Sequence, residues 1–509
     1  MLLHHDFETS LSRHPLKAAI VCGTLRHSYA DVDLRAHALA SALARQGVRR
    51  GDRVALFLDN GIEFVAGVVA ILRIGAVFMP INPLTKSDKL AYMLGDARAS
   101  ALLTSDVLAP AWSASLEKVA SLRTVFVAGA LPGPADARVS GWPVADAAPG
   151  RAVADPGTID QDLASIIYTS GSTGFPKGVM LTHLNMVSAA RSVSTYLGLR
   201  ENDVILCALP LAFDYGLYQM LMAFRVGATL VLERSFSFPV QVLDAMARER
   251  VTVFPGVPTM FSMLMALSKL AQFDLTSLRL ITNTAAALSE AHIRQLRGLF
   301  PQATLFSMYG LTECKRVTYL PPEQLDLRPT SVGRGMPNEE LWLVDDEGHR
   351  LPFGAIGELV IRGSNVMRGY WEKPEETAKR LRPGPIAGEV LLYSGDLFRT
   401  DSEGWLYFVS RRDDIIKSRG EKVSPREVEN VLHSIEGVYE VAVVGVADEV
   451  LGQAVKAYVT LKPGVQLTER EVIRHCLARL ESFMAPKFVE FVDELPKTDT
   501  GKIKKTGLS

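Results

Sequence analysis

The segment YTSGSTGFPKGVML, residues 168–181, carries three glycines, one proline, four Ser/Thr hydroxyls and a single lysine, Lys177. Before it, LASIIYT is an apolar, β-branched run of strand length. After it, THLNMVSAARSVSTYL (182–197) has a helical period with Thr182 as its cap. The segment therefore reads as a loop between a strand and a helix, where bare N–H groups converge on an anion. Its spacing excludes two common nucleotide folds. A P-loop needs lysine directly after its second glycine and Ser/Thr directly after that, whereas Lys177 follows Gly174 by three residues and precedes Gly178. No G-x-G-x-x-G stands here either, so a dinucleotide fold is not indicated.

With 509 residues the chain exceeds one core and calls for two or more domains. Strand-length apolar runs such as RVALFL (53–58), ATLVLE (228–233) and VTVFPGV (251–257) alternate with helix-period segments, which indicates α/β layers. The most apolar stretch, FVAGVVAILRIGAVFMPI (64–81), holds Arg73 and Gly75 and reads as a buried helix followed by a strand, not a membrane span. Residues 129–157, rich in Ala, Gly, Pro and Asp, read as a surface connection.

The last hundred or so residues form a separate α+β unit. SPREVENVLHSI opens with Ser424 as N-cap, Pro425 at N1 and Glu427 at N3, and TEREVIRHCLARL repeats the capping box with Thr468 and Glu471. EVAVVGV, AVKAYVTLK and FVEFVDEL supply strands. The charged SRRDDIIK (410–417) marks the boundary, giving domains 1–411 and 412–509.

The net charge of −1, from 55 basic and 56 acidic residues, argues against a protein that coats nucleic acid or membrane. Cys22, Cys207, Cys314 and Cys476 form no C-x-x-C pair, so neither a disulfide framework nor a cysteine zinc site is expected. MLLHHDFETS lacks a basic region followed by an apolar run, and a reducing, cytoplasmic setting is expected.

YTSGSTGFPKGVMLTH resembles the glycine loop of the AMP-forming adenylating superfamily: acyl-CoA synthetases, amino-acid adenylation domains and firefly-type luciferases. Five further blocks follow in that family's order: ILRIGAVFMPINP, MYGLTE, GELVIRGSNVMRGYW, YSGDLFRTDSEGWLYFVSRRDDIIKSRGEKVSPREVE and LPKTDTGKIKK. The resemblance spans almost the whole chain and is closest in appearance to bacterial acyl-CoA ligases. It implies an α/β fold: a large N-terminal domain of layered α/β subdomains and a small, mobile α+β C-terminal domain.

The implied reaction joins a carboxylate to the α-phosphate of ATP with loss of pyrophosphate, then passes the acyl group to CoA or a carrier-protein pantetheine. Thr169, Ser170, Gly171, Ser172, Thr173, Gly174 and Lys177 would hold the β- and γ-phosphates. Thr312 would contact the α-phosphate, and Glu313 would hold Mg²⁺, a hard cation suited to carboxylate and phosphate oxygens. Tyr309 would stack on adenine, Asp396 would accept from the ribose hydroxyls, and Arg411 would support it. Lys502 would stabilise the charge of adenylation, Asp413 would be the hinge, and Gly420 would line the thiol tunnel where a side chain would crowd the pantetheine arm.

Two departures bear on the substrate. LPLAFDYGLYQM places Phe213 where many acyl-CoA synthetases have a histidine, with Asp214 next. Amino-acid adenylation domains also show Phe-Asp, the Asp pairing a substrate ammonium; capping of the following helix is the equal alternative. FDYGL is also similar to bacterial acyl-CoA ligases associated with exosortase gene sets. The second departure is Lys315–Arg316 after Glu313, which either form salt bridges, favour a second anionic group on the substrate, or bind acceptor phosphates. Tyr215, residues 283–287 and Met308 are expected around the acyl group. The reading is an acid–thiol ligase with a small carboxylic-acid or amino-acid substrate and no nucleic-acid partner. The alternatives are a stand-alone amino-acid adenylating enzyme loading a carrier protein, or an amide-forming ligase with an amine acceptor.

Overall fold

The computed structural model describes the chain except residues 132–135, 144–154, 170–175, 285–287, 419–420, 449–450, 481, 499–502, 506 and 509. It describes 413, 417, 421, 422 and 452 by backbone alone.

Two large sheets share one plan. In the nine-stranded sheet, Ala18–Cys22, Thr229–Leu232, Val204–Cys207, Val253–Gly256, Leu280–Asn283 and Thr304–Tyr309 lie side by side in parallel. The sheet then turns antiparallel at Thr318–Leu320 and Arg334–Gly335. In the eight-stranded sheet, the parallel set runs through Arg53–Phe57 and Val77–Ile81 to Leu163–Thr169 and turns antiparallel at Lys177–Thr182 and Gly369–Tyr370. Such strands read as continuous apolar runs because both faces are covered. The helix Ile62–Arg73 is buried along nearly its whole length, as is Asp214–Val226, and both join one core with strands of the two sheets. Arg73 ends its helix paired with Asp33 and Glu8, which lets a charge stand at the edge of so apolar a stretch.

The connection carrying the glycines differs from expectation. Thr169 pairs with Lys177 across an antiparallel ladder, so the segment joins two strands, and the helix His183–Tyr196 starts only after the second. KGVMLT is held extended by its ladder to Leu163–Thr169, with Gly178, Val179, Leu181 and Thr182 buried. Thr182 does cap the helix, in a reciprocal box with Asn185. The expected surface connection, 129–157, also contains a short strand, Val139–Gly141, paired with Thr124–Ala128.

Residues 339–411 form a five-stranded antiparallel sheet that the periodic reading did not separate out. Beyond it, Val438–Asp448 and Gly452–Leu461 form a long hairpin joined by Phe488–Phe491. The helices Pro425–His433 and Glu469–Leu477 pack on this sheet with a core of their own, including Val428, Leu432, Val443, Val459 and Val472. Ser424 accepts from Glu427 N–H at one helix start, and Thr468 and Glu471 form the predicted box at the other. Among the described residues no helix is long and apolar enough to cross a membrane.

Candidate active site

In each large sheet the parallel run ends at a connection containing polar and glycine residues: between Thr169 and Lys177 in one, and between Tyr309 and Thr318 in the other. Carboxyl ends of parallel strands, where N–H groups and side chains splay apart, are where α/β sheets receive ligands. A Cβ at Gly310 would collide with the Lys315 carbonyl and the Arg316 Cα, so the second connection closes tightly on itself. Val317 N–H donates to the Tyr309 carbonyl at 2.9 Å, which fixes Arg316 beside Tyr309.

Tyr309 donates its hydroxyl to Asp396 Oδ2 at 2.6 Å and packs edge-on against Phe398, centroids 4.8 Å apart. Burial, reinforced by Asp396, pushes the Tyr309 phenol far above its usual range. Burial also raises the Asp396 carboxyl, with the Tyr309 hydrogen bond and Arg411 pulling the other way. Arg411 stands opposite Asp396 in register, its Nε 4.0 Å from Oδ1. A ring, a carboxylate and a guanidinium thus meet at one place.

On the other side, Tyr370 donates its hydroxyl to Glu313 Oε1 at 2.7 Å, and Met367 N–H donates to the Glu313 carbonyl, also at 2.7 Å. Tyr370 pairs with Val179 in the strand that begins at Lys177, and the Lys177 ammonium lies 5.6 Å from its ring centroid. One tyrosine therefore links the two connections. Lys177 is neutralised by Glu376, whose carboxyl is held down to about 2 by hydrogen bonds from Lys177 and Lys379. Sequence reasoning gave no role to Tyr370 or Glu376. Tyr370 does sit in the block ending RGYW, but nothing local marks it apart from other tyrosines. Among the described residues, the second Glu313 oxygen has no hydrogen-bonding partner, so this carboxylate fits a hard cation. Thr312 lies partly buried in the turn beside it.

The acyl side corrects one expectation. Phe213 takes the N-cap position with extended backbone, and Asp214 is the first helical residue, making no side-chain cap hydrogen bond. Its partner is Lys315, whose Nζ donates to the Asp214 carbonyl at 2.6 Å and lies 3.4 Å from Oδ2. The carboxylate that a substrate ammonium would need is already paired within the chain. Burial pushes the Lys315 ammonium down to about 7 against the opposing pull of Asp214. Tyr215 is buried, its hydroxyl donating to the Thr282 carbonyl at 2.8 Å. Met308 is buried with its sulfur 2.9 Å from the Tyr196 hydroxyl.

Ser170, Gly171, Ser172, Thr173, Gly174, residues 285–287, Gly420 and Lys502 lie outside the described residues, as does the Asp413 side chain. The described residues flanking Lys502 are anchored. Ile503 bridges Lys497, Ile503 and Leu508 pack against Ala442, Tyr458 and Leu495, and Lys505 pairs with Glu429 at 2.6 Å.

The AMP-binding enzyme family matches residues 7–371, and its C-terminal domain matches 427–502. A long-chain-fatty-acid–CoA ligase of Bacillus subtilis (strain 168) is 32% identical over 97% of this chain and 91% of that protein. Tyrocidine synthase 2 of Brevibacillus parabrevis is 31% identical over 99% of this chain, which spans 13% of that much longer protein. The crystal structure of the anthranilate CoA ligase AuaEII in complex with anthranoyl-AMP superposes with a TM-score of 0.90 at 30% identity, covering 100% of this chain and 96% of the other. With both family domains matched in order and this architecture shared from end to end, the chain belongs to the AMP-binding enzyme family of AMP-forming acid ligases.

Proposed function

We propose that the protein is an acid–thiol ligase that activates a carboxylic acid with MgATP and transfers the acyl group to CoA or a carrier-protein pantetheine. The observation that carries this reading is the link Lys177–Tyr370–Glu313 standing in one site with Tyr309–Asp396. The first set suits a polyphosphate and its cation; the second suits a nucleoside.

In the first half-reaction a carboxylate oxygen attacks the α-phosphorus and the bond to pyrophosphate breaks. An anion approaches an anion, so fixed positive charge at the phosphates lowers the barrier. Lys177, with the glycine segment, would grip the departing diphosphate after exchanging Glu376 for phosphate oxygens. Mg²⁺, held through Glu313, would supply charge neutralisation to the phosphates. Asp396 would accept from the ribose, and Lys502 would be the cation delivered to the reacting phosphate. In the second half-reaction the thiol sulfur attacks the acyl carbon and AMP leaves. Domains 1–411 and 412–509 would alternate between the steps by rotation at Asp413, bringing Gly420 to the thiol path.

The Asp214–Lys315 pair weighs against an amino-acid substrate, because no carboxylate there awaits an ammonium. An amine acceptor giving an amide remains the rival second step. A panel of acids and amino acids scored by pyrophosphate release, with CoA, with a carrier protein or with an amine, tests the reading. Release that depends on an acid, with thioester formed on adding thiol, is the expected result; amino-acid-only release or amide product overturns it.

A further inference from the structure

Arg316 is 1% exposed, and among the described residues its Nε and Nη2 have no hydrogen-bonding partner. Its guanidinium carbon stands 4.8 Å from the Tyr215 ring centroid, and no carboxylate among the described residues comes within ion-pair distance. A guanidinium does not deprotonate in a protein, so its charge persists where burial makes charge expensive. The Tyr215 ring offsets part of that charge, but no carboxylate among the described residues completes it, since Asp214 is committed to Lys315. The backbone makes this arrangement at a cost: Lys315 has φ +70°, a left-handed conformation rare for a side-chain-bearing residue, between the turn at Glu313 and the strand that returns beside Tyr309.

The geometry points to Arg316 as a specificity residue that receives a second anionic group of the acid substrate, the distal carboxylate of a dicarboxylic acid. This rests on the ligase reading and names its substrate class. The planar fork of an arginine matches a carboxylate with two parallel hydrogen bonds, and Nε with Nη2 is one such edge. The location selects the acid over the acceptor. Arg316 is flanked by Tyr215, whose hydroxyl is anchored on Thr282 at the end of a parallel strand, and by the Tyr309 connection. Such burial sets the guanidinium apart from the surface phosphates of a large thiol donor.

The test compares a dicarboxylic acid with the monocarboxylic acid of equal chain length, by pyrophosphate release and by direct calorimetric titration without ATP. In the wild-type protein kcat/KM for the diacid exceeds that for the monoacid by about 100-fold, because a buried charge left unpaired is heavily penalised. Arg316→Met brings that ratio to about one, and Arg316→Lys retains part of it. The melting temperature of ligand-free Arg316→Met equals or exceeds that of wild type, since the substitution removes an unpaired buried charge. Equal use of both acids by the wild type, or a lower melting temperature with both acids impaired alike, overturns the inference and assigns Arg316 to structure. Calorimetric binding of the diacid that needs Arg316, without pyrophosphate release from any acid, supports this inference and overturns only the ligase reading.

Discussion

The Tyr370 hydroxyl lies 2.7 Å from a carboxylate oxygen of Glu313, joining a strand of one large sheet to a turn between two strands of the other. Partners that orient a metal-binding carboxylate influence metal affinity nearly as much as the ligand itself. Tyr370→Phe keeps the ring beside Lys177 and removes only the hydrogen bond. The Mg²⁺ concentration giving half-maximal pyrophosphate release is therefore expected to rise about tenfold, within the range for such partners. An unchanged Mg²⁺ titration would show that Tyr370 only packs.

The Lys177–Glu376 pair makes the opposite case, a contact that substrate must break. The side chains keep some contact with solvent, 16% and 26% exposed, and the ion pair is worth on the order of 1 kcal/mol. Glu376→Gln frees Lys177 for the phosphates, and KM for ATP should fall by roughly two- to fivefold, the same energy expressed as affinity. A raised KM would mean that Glu376 positions Lys177 instead of competing with phosphate.

These two side chains also mark where sequence reading ran short. The glycine segment is conspicuous because bare backbone and hydroxyls are a local property, and Thr182, Ser424 and Thr468 were legible as caps because a cap acts over three residues. The strand Lys177–Thr182 was hidden because six residues without alternation beside a glycine loop give no period to read. Tyr370 and Glu313 are 57 residues apart, and Asp214 and Lys315 are 101 apart. Such pairings arise from sheet order, which no local pattern encodes. The sequence displayed two acidic and basic oddities, FDYGL and ECKR, without disclosing that Asp214 of one is the partner of Lys315 in the other.

Asp396 ties function to pH. Burial raises its carboxyl above the unfolded value of 3.8, so the folded protein binds more protons than the unfolded chain between the two pKa values. Stability from this group is present below the unfolded pKa and is lost as pH rises through the raised one. At neutral pH the ionised carboxylate is a cost that ligand binding offsets. Asp396→Asn keeps an acceptor for Tyr309 and removes the charge, so the ligand-free melting temperature at pH 7 should rise or hold. KM for ATP should increase roughly 10- to 100-fold, because hydrogen bonds to a charged acceptor are the stronger kind. A lowered melting temperature with unchanged KM would place Asp396 in the scaffold and not in the nucleoside site.

The two half-reactions offer the sharpest division of roles within the C-terminal unit. The described residues that follow Lys502 are held on the C-terminal unit by Ile503, Leu508 and the Lys505–Glu429 pair. Lys502→Ala should abolish pyrophosphate release while sparing thioester formation from a supplied acyl-adenylate, because phosphorus is the atom attacked in the first step and the acyl carbon in the second. Asp413 lies in the short turn Arg412–Asp414, between the sheet carrying Asp396 and the strand Ile416–Ser418 of the last domain. Asp413→Pro fixes one backbone dihedral and should leave adenylation nearly intact while thioester formation falls, the reverse signature. Loss of both steps in both variants would mean that the C-terminal unit does not alternate. A rigid unit would have to serve both chemistries from one position, and a single lysine could not then be needed for one step alone.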